Sequence, residues 1–233
     1  MEREATIRVS GKGMLRLKPD VTRITITLTG CYKDYAESLK RSAEDTESLK
    51  DVLAGLGFER TDLKTLSFNI QIRTESYQTK NHEWKERFVG YEFRHVLKVD
   101  FPSDRERLGK ILYALAHAKV QPELQLSYTV KDPEASKNAL LAAAVADAKT
   151  KASVLAGASG VKLGGILRID YSFAQLDFEC RPMRGNMMLA KACANGADEC
   201  YDMDIEPDDI EVSDTVTVVW TLTGKGTAGK TQD

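Results

Sequence analysis

The sequence predicts an α+β fold: mostly antiparallel sheet with three helices packed against it and one long β-hairpin projecting. Three observations predict it. Segments of period-two hydrophobicity come in adjacent pairs joined by turn residues. Three segments of helical period separate them, each preceded by a capping residue. The resulting order, ββ-α-ββ-α-β-α-β-loop-β, lacks the strict βα alternation of a doubly wound parallel sheet.

Residues 5–31 hold two strands. Ile7 and Val9 share one side of the first, and Ile24, Ile26 and Leu28 one side of the second, opposite Arg23, Thr25, Thr27 and Thr29. Half-buried strands alternate in this way. Gly11-Lys12-Gly13 predicts a bulge or kink in the first strand, and Lys18-Pro19-Asp20 a turn after it. Over 34–57 the period becomes helical: Leu39, Ala43, Leu49, Leu53 and Leu56 form a stripe, with Asp34 as N-cap, Glu37 three residues on, and Gly57 as the stop. Strands return over 64–77 and 88–101. Phe68, Ile70 and Ile72 share a face of one, and Tyr91, Phe93, His95, Leu97, Val99 and Phe101 a face of the other. The polar Thr79-Lys80-Asn81-His82 reads as the tip between them.

Ser103-Asp104-Arg105-Glu106 reads as a capping box before a helix carrying Leu108, Ile111, Leu112 and Leu115. Leu124, Leu126, Tyr128 and Val130 make a strand. Asp132-Pro133 then open an Ala-rich helix over 133–157, whose small side chains let it lie close to a sheet or another helix, and Gly157 and Gly160 end it. A strand over 163–173 follows. The segment 176–206 is a Met/Cys-rich loop of different composition, holding Met183, Met187, Met188, Met203 and three of the four cysteines, with room for one short helix near 187–194. Val212, Val216, Val218, Trp220 and Leu222 form a last strand, and 224–233 reads as a disordered tail. Residues 1–223 are expected to form one domain, with room for two sub-lobes.

Composition narrows the function classes. The chain has 233 residues, 33 Lys plus Arg against 35 Asp plus Glu, and a net charge of −2. That balance argues against an obligate polyanion binder, which needs clustered cationic charge. At 42% hydrophobic and 29% charged the chain is globular. No apolar run approaches the ~20 residues of a membrane span. The opening Met1-Glu2-Arg3-Glu4-Ala5 has no basic n-region or apolar h-region. It points to the cytoplasm if Met1 is the native start, and otherwise to the periplasm or secretion after signal removal. Cys31, Cys180, Cys193 and Cys200 form no CxxC pair, so reduced thiols are the default.

Three stretches together resemble the SIMPL-domain family. Ile7-Arg8-Val9-Ser10-Gly11-Lys12-Gly13, followed by Pro19-Asp20, is similar to its opening strand and turn. Ala146-Asp147-Ala148-Lys149-Thr150-Lys151-Ala152, running through Leu155-Ala156 to Gly160-Val161-Lys162-Leu163-Gly164, looks like its Ala/Lys helix and exit. Pro207-Asp208-Asp209-Ile210-Glu211-Val212-Ser213, leading into Val216-Thr217-Val218, looks like its final strand, and Gly90-Tyr91 fits as well. The resemblance covers about residues 5–223. It implies kinship with bacterial periplasmic immunogenic proteins, stress-associated proteins and an animal protein that binds a Pelle-like kinase. It carries over no catalytic residue, because the family has no agreed ones.

Chemistry-bearing residues form no complete motif. His82-Glu83-Trp84-Lys85-Glu86 begins like HExxH, but Glu86 stands where the second histidine belongs. His95 falls on the apolar face of its strand and reads as a core or subunit-contact histidine. His117 ends a helix, where its partial charge suits the dipole. No GxSxG, Walker or GxGxxG pattern is present. Cys180, Cys193 and Cys200, with nearby methionines, are thiol candidates for redox sensing or soft-metal binding. Their spacings match no standard site, and the acidic neighbours Asp198, Glu199, Asp202 and Asp204 disfavour thiolate. Trp84, Phe88 and Tyr91 are interface candidates. Lys80, Lys85, Arg87 and Arg94 interleave with them and with Phe93 and suggest a stacking surface for single strands, but Glu83, Glu86 and Glu92 dilute the charge. The sequence thus points to a non-enzymatic, oligomerising protein, a stress-related scaffold or interaction module, with no cofactor, metal, nucleic acid or membrane span. Alternatives are a thiol- or metal-buffering protein and an enzyme with an unrecognised site.

Overall fold

The computed structural model of the chain describes residues 5–172, 176–181, 191–192, 201–202 and 205–224. In order, the elements are β1 (Thr6–Leu17), β2 (Val21–Tyr32), α1 (Tyr35–Gly55), β3 (Lys64–Gln78), β4 (Trp84–Pro102), α2 (Arg105–Ala116), β5 (Glu123–Thr129), α3 (Pro133–Ala158), β6 (Lys162–Asp170), β7 (Glu179–Cys180), β8 (Lys191–Ala192), β9 (Tyr201–Asp202) and β10 (Ile210–Thr223). This is the α+β architecture, antiparallel and with three helices. The chain divides into two compact units, one from residues 1–18, 130–179 and 209–233, the other from 19–129 and 180–208.

The first unit is a three-stranded antiparallel sheet of order β1-β10-β6, with α3 on one face. Val9, Val216, Val218 and Trp220 alternate along β1 and β10 and bury their side chains against α3. The helix answers with Leu140, Ala144, Ala148, Ala152 and Ala156, a line at every fourth residue. The bulge expected at Gly11-Lys12-Gly13 is absent, since β1 pairs with β10 without a break from Thr6–Thr221 to Leu17–Ile210. Those glycines answer to the helix. A Cβ on Gly11 would lie 2.1 Å from the Ala144 carbonyl oxygen, and one on Gly13 2.2 Å from that of Leu140. Alanine on one side and glycine on the other let the two backbones meet. The carboxylate of Asp214, buried on β10, accepts from the Tyr171 hydroxyl (3.0 Å) and the Thr215 amide (2.7 Å).

The second unit sets four long strands antiparallel in the order β3-β4-β2-β5. Ile24, Ile26 and Leu28 of β2 and Phe93, Leu97, Val99 and Phe101 of β4 form one buried face under Leu49 and Leu53 of α1 and Leu108, Ile111 and Leu115 of α2. Two expectations change at the helices. The α2 cap is Asp104, whose carboxylate accepts from the amides of Glu106 and Arg107, while Ser103 bonds the Thr22 hydroxyl. On α1 the stripe shifts: the first half of the helix buries Ser38, Ser42 and Thr46, and Leu39 and Ala43 face solvent. Hydroxyls win there because the facing strand offers polar partners. Ser38 donates to the Tyr91 carbonyl oxygen at 2.8 Å.

The hairpin outruns the sheet. β2 pairs with β4 only from Tyr91 to Pro102, so from Gly90 to Trp84 β4 has β3 alone among the described residues. The tip is closed by Thr79 N–H to the Glu83 carbonyl oxygen (2.8 Å) and His82 N–H to that of Thr79 (2.9 Å), with His82 at φ 60°. The helix expected near 187–194 falls mostly outside the described residues, and residues 191–192 are strand β8, paired with β9. The expected tail beyond Gly224 lies outside them as well. No described helix is long and apolar enough to cross a membrane.

Candidate functional site

The β3–β4 ribbon carries the interface candidates. Trp84 is 71% exposed, Phe88 53% and Ile72 62%, while Tyr77, also exposed, is opposite Lys85 and so on the other face. Two-residue periodicity places Ile72 opposite Tyr91; a register shift then sets Thr74 opposite Phe88. Phe88 and Tyr91 come together edge to face at 5.4 Å, and Tyr91 meets Tyr35 of α1 the same way at 5.5 Å. Trp84 stands apart, opposite Gln78 at the ribbon's end. Sequence reasoning missed Tyr35, which lies one residue past the N-cap, off the predicted stripe. The arginines here are engaged: Arg87 with Glu75 at 2.6 Å and Arg73 with Glu92 at 2.5 Å, while Arg94 lies 3.8 Å from Glu123. Arg87 also sits 6.0 Å from the Tyr77 ring centroid. Charges neutralised in place offer little to a polyanion.

Beside the ribbon lies an open groove of about 330 Å³, walled by Leu39, Ala43 and Phe68, rimmed by Glu47 and Lys50, and floored by His95. The imidazole is clasped by hydroxyls. Thr46 donates its hydroxyl proton to the Ser42 carbonyl oxygen (2.7 Å), so at 3.2 Å its oxygen accepts from His95 Nδ1–H. That leaves Nε2 as acceptor for the Thr65 hydroxyl at 2.9 Å. Ser42 Oγ lies 3.4 Å from Nδ1, and the Phe68 ring stands edge-on at 5.1 Å. Burial, and then the Lys50 ammonium, lower the His95 pKa, so the ring is neutral at pH 7. A neutral, oriented imidazole is a competent base in principle. Its partners here are hydroxyls, none a carboxylate, and Ser42 is buried beneath α1. The arrangement ties α1 to the β3–β4 pair.

Of the thiol candidates, Cys180 is half-buried and donates to the Asp208 carbonyl oxygen at 3.4 Å. Cys193 and Cys200 lie outside the described residues, as do Met183, Met187, Met188 and Met203. Among the described residues no cluster of three or more His, Cys, Asp or Glu could hold a metal. His82 is in the tip turn, and His117 is the C-cap of α2, its Nδ1–H donating to the Tyr113 carbonyl oxygen at 2.8 Å.

Comparison with known proteins places this geometry. The profile of SIMPL, a protein family of unknown function (DUF541), matches residues 7–220. The 26 kDa periplasmic immunogenic protein of Brucella melitensis biotype 1 is 30% identical over 165 residues, which is 71% of this chain and 66% of that protein. Its namesake from Brucella abortus (strain S19) is 29% identical over the same share of each chain. The match thus spans just under two thirds of the length of these relatives. Since the profile runs from β1 into β10, through every long element of both units, the chain belongs to the SIMPL family.

Proposed function

We propose that this chain is a non-catalytic interaction module that assembles with copies of itself through the β3–β4 ribbon. One observation carries the reading: Phe88 and Trp84, opposite Thr74 and Gln78, are displayed to solvent on one face of the ribbon where, among the described residues, β3 and β4 pair without a third strand, and Ile72 continues that face at its junction with the sheet. A lone two-stranded ribbon is marginal in water. A patch of large apolar side chains rimmed by ion pairs is what an association surface looks like, and aromatics dominate the energetics of such surfaces. The names of the two Brucella relatives support a periplasmic location, and the cytoplasmic alternative finds no support among them. The stress-related part of the reading is an extension to this chain of what the family resemblance implies.

Native mass spectrometry and light scattering of the full chain test the assembly. The expected result is an oligomer whose mass falls in the double variant Trp84→Asp/Phe88→Asp, with the circular dichroism spectrum unchanged. A variant of undiminished mass, or a wild-type chain that stays monomeric at high concentration, removes the ribbon as an interface.

A further inference from the structure

We propose that β6 is the seam of a second, symmetric contact: two copies of the chain joined edge to edge, antiparallel, about a two-fold axis at Ile166. β6 is an edge strand, paired with β10 on one side only among the described residues. It nevertheless carries Ile166, Leu167 and Ile169, each more than half exposed. Ile166 lies opposite Trp220 and Ile169 opposite Val218, both buried beneath α3, so the two isoleucines extend that apolar face beyond the helix.

The irregularities of this edge are symmetric. β6 pairs Leu163 with Leu222, Ile166 with Trp220 and Ile169 with Val218. On each side of Ile166, three steps along β6 match two along β10. Leu163, Ile166 and Ile169 therefore share one face, with one extra residue between each pair. A bulged edge normally repels a straight strand, because the hydrogen-bonding groups drift out of step. A second β6 run antiparallel through Ile166 carries its own extra residues at the matching places, so this edge accepts a copy of itself in preference to a regular strand.

The side chains agree. Antiparallel pairing about Ile166 sets Ile166 against its twin, Leu163 against Ile169, Gly165 against Leu167, Gly164 against Arg168 and Lys162 against Asp170. Every pair but the first occurs twice, as an isologous contact requires. Opposite charges meet at both ends and no like charges face each other. The long Leu167 meets Gly165, around which a Cβ would touch nothing within 4 Å. Cross-strand apolar and opposite-charge pairs of this kind are the unit of sheet stabilisation. The seam lies wholly in the first unit and does not depend on the ribbon.

The test uses the full chain in the Trp84→Asp/Phe88→Asp background, so that ribbon association is not counted. Under mild oxidation, Ile166→Cys should yield a tryptic peptide linked to itself through position 166, which the four natural cysteines cannot mimic. Lys162→Asp and Asp170→Lys should each raise the dimer dissociation constant about tenfold, because each opposes like charges at both ends. The two together should restore it. Asp170 also bonds Arg168 (2.7 Å), so the rescue by the double reversal separates a seam contact from local damage. Absence of the linked peptide, or a double reversal no tighter than the single ones, overturns the proposal and leaves the ribbon reading standing. An oligomer mass undiminished by Trp84→Asp/Phe88→Asp, with the linked peptide still formed, does the opposite.

Discussion

His95 is held by three hydroxyls, and hydroxyls cannot compensate a charge as a carboxylate would. With its pKa below the ordinary value, first through burial and then through Lys50, the sign of its pH effect follows. Above about pH 6.5 folded and unfolded chains both carry a neutral ring, and no pH dependence arises from it. Below that, the unfolded chain takes up a proton that the folded one resists. Stability falls with pH until the lowered folded pKa is passed, where the loss levels off. In urea titrations from about pH 7.5 to 5, the advantage of wild type over His95→Gln should therefore shrink as pH falls; a constant difference contradicts the assignment. Gly11 makes a second residue-scale case. Gly11→Ala should cost about 1–3 kcal/mol, because the new methyl meets the backbone of α3 rather than a side chain that can turn away. Gly55→Ala, with open space around it at the end of α1, should leave the melting temperature unchanged or raise it.

At the scale of elements, the caps separate what a motif suggests from what it does. Asp132 and Asp104 accept amide hydrogen bonds at the starts of α3 and α2, whereas Asp34 occupies the N-cap of α1 without a side-chain bond. Changing either of the first two to Ala should destabilise by about 1 kcal/mol, and Asp34→Ala by much less. Denaturation midpoints of the three variants check the ranking, and equal losses would remove the distinction. The same comparison shows what was legible beforehand. Each long strand and helix could be read from period and punctuation, and the small-residue character of α3 already implied a close approach. The partner of that approach could not be read. A glycine pair in a strand is equally good evidence for a bulge and for a passing helix, and only the long-range contact decides. The hydroxyl face of α1 was hidden for a related reason: Ser38, Ser42 and Thr46 look like solvent residues until the strand that satisfies them is known. Of the candidate site, Trp84, Phe88 and Tyr91 were visible as aromatics on a hairpin, but the joining of Tyr35 to them and the clasp on His95 each needed α1 in place.

For the whole molecule, the division into two units was the part least available from local pattern, because neither unit is continuous in sequence. The first is assembled from three separated stretches and the second is almost one stretch, 19–129. The pairing of β1 with β10 is what closes the first unit. On a ribosome, residues 6–17 emerge long before their partner at 210–223 exists. The larger share of the second unit can condense meanwhile from contacts near in sequence, which form fast. β1 lacks its native partner throughout that interval. The glycines that admit α3 also split the apolar face of this waiting strand, separating Ile7 and Val9 from Leu15 and Leu17, so the same small residues that pack the finished chain shorten the continuous apolar stretch exposed by the unfinished one.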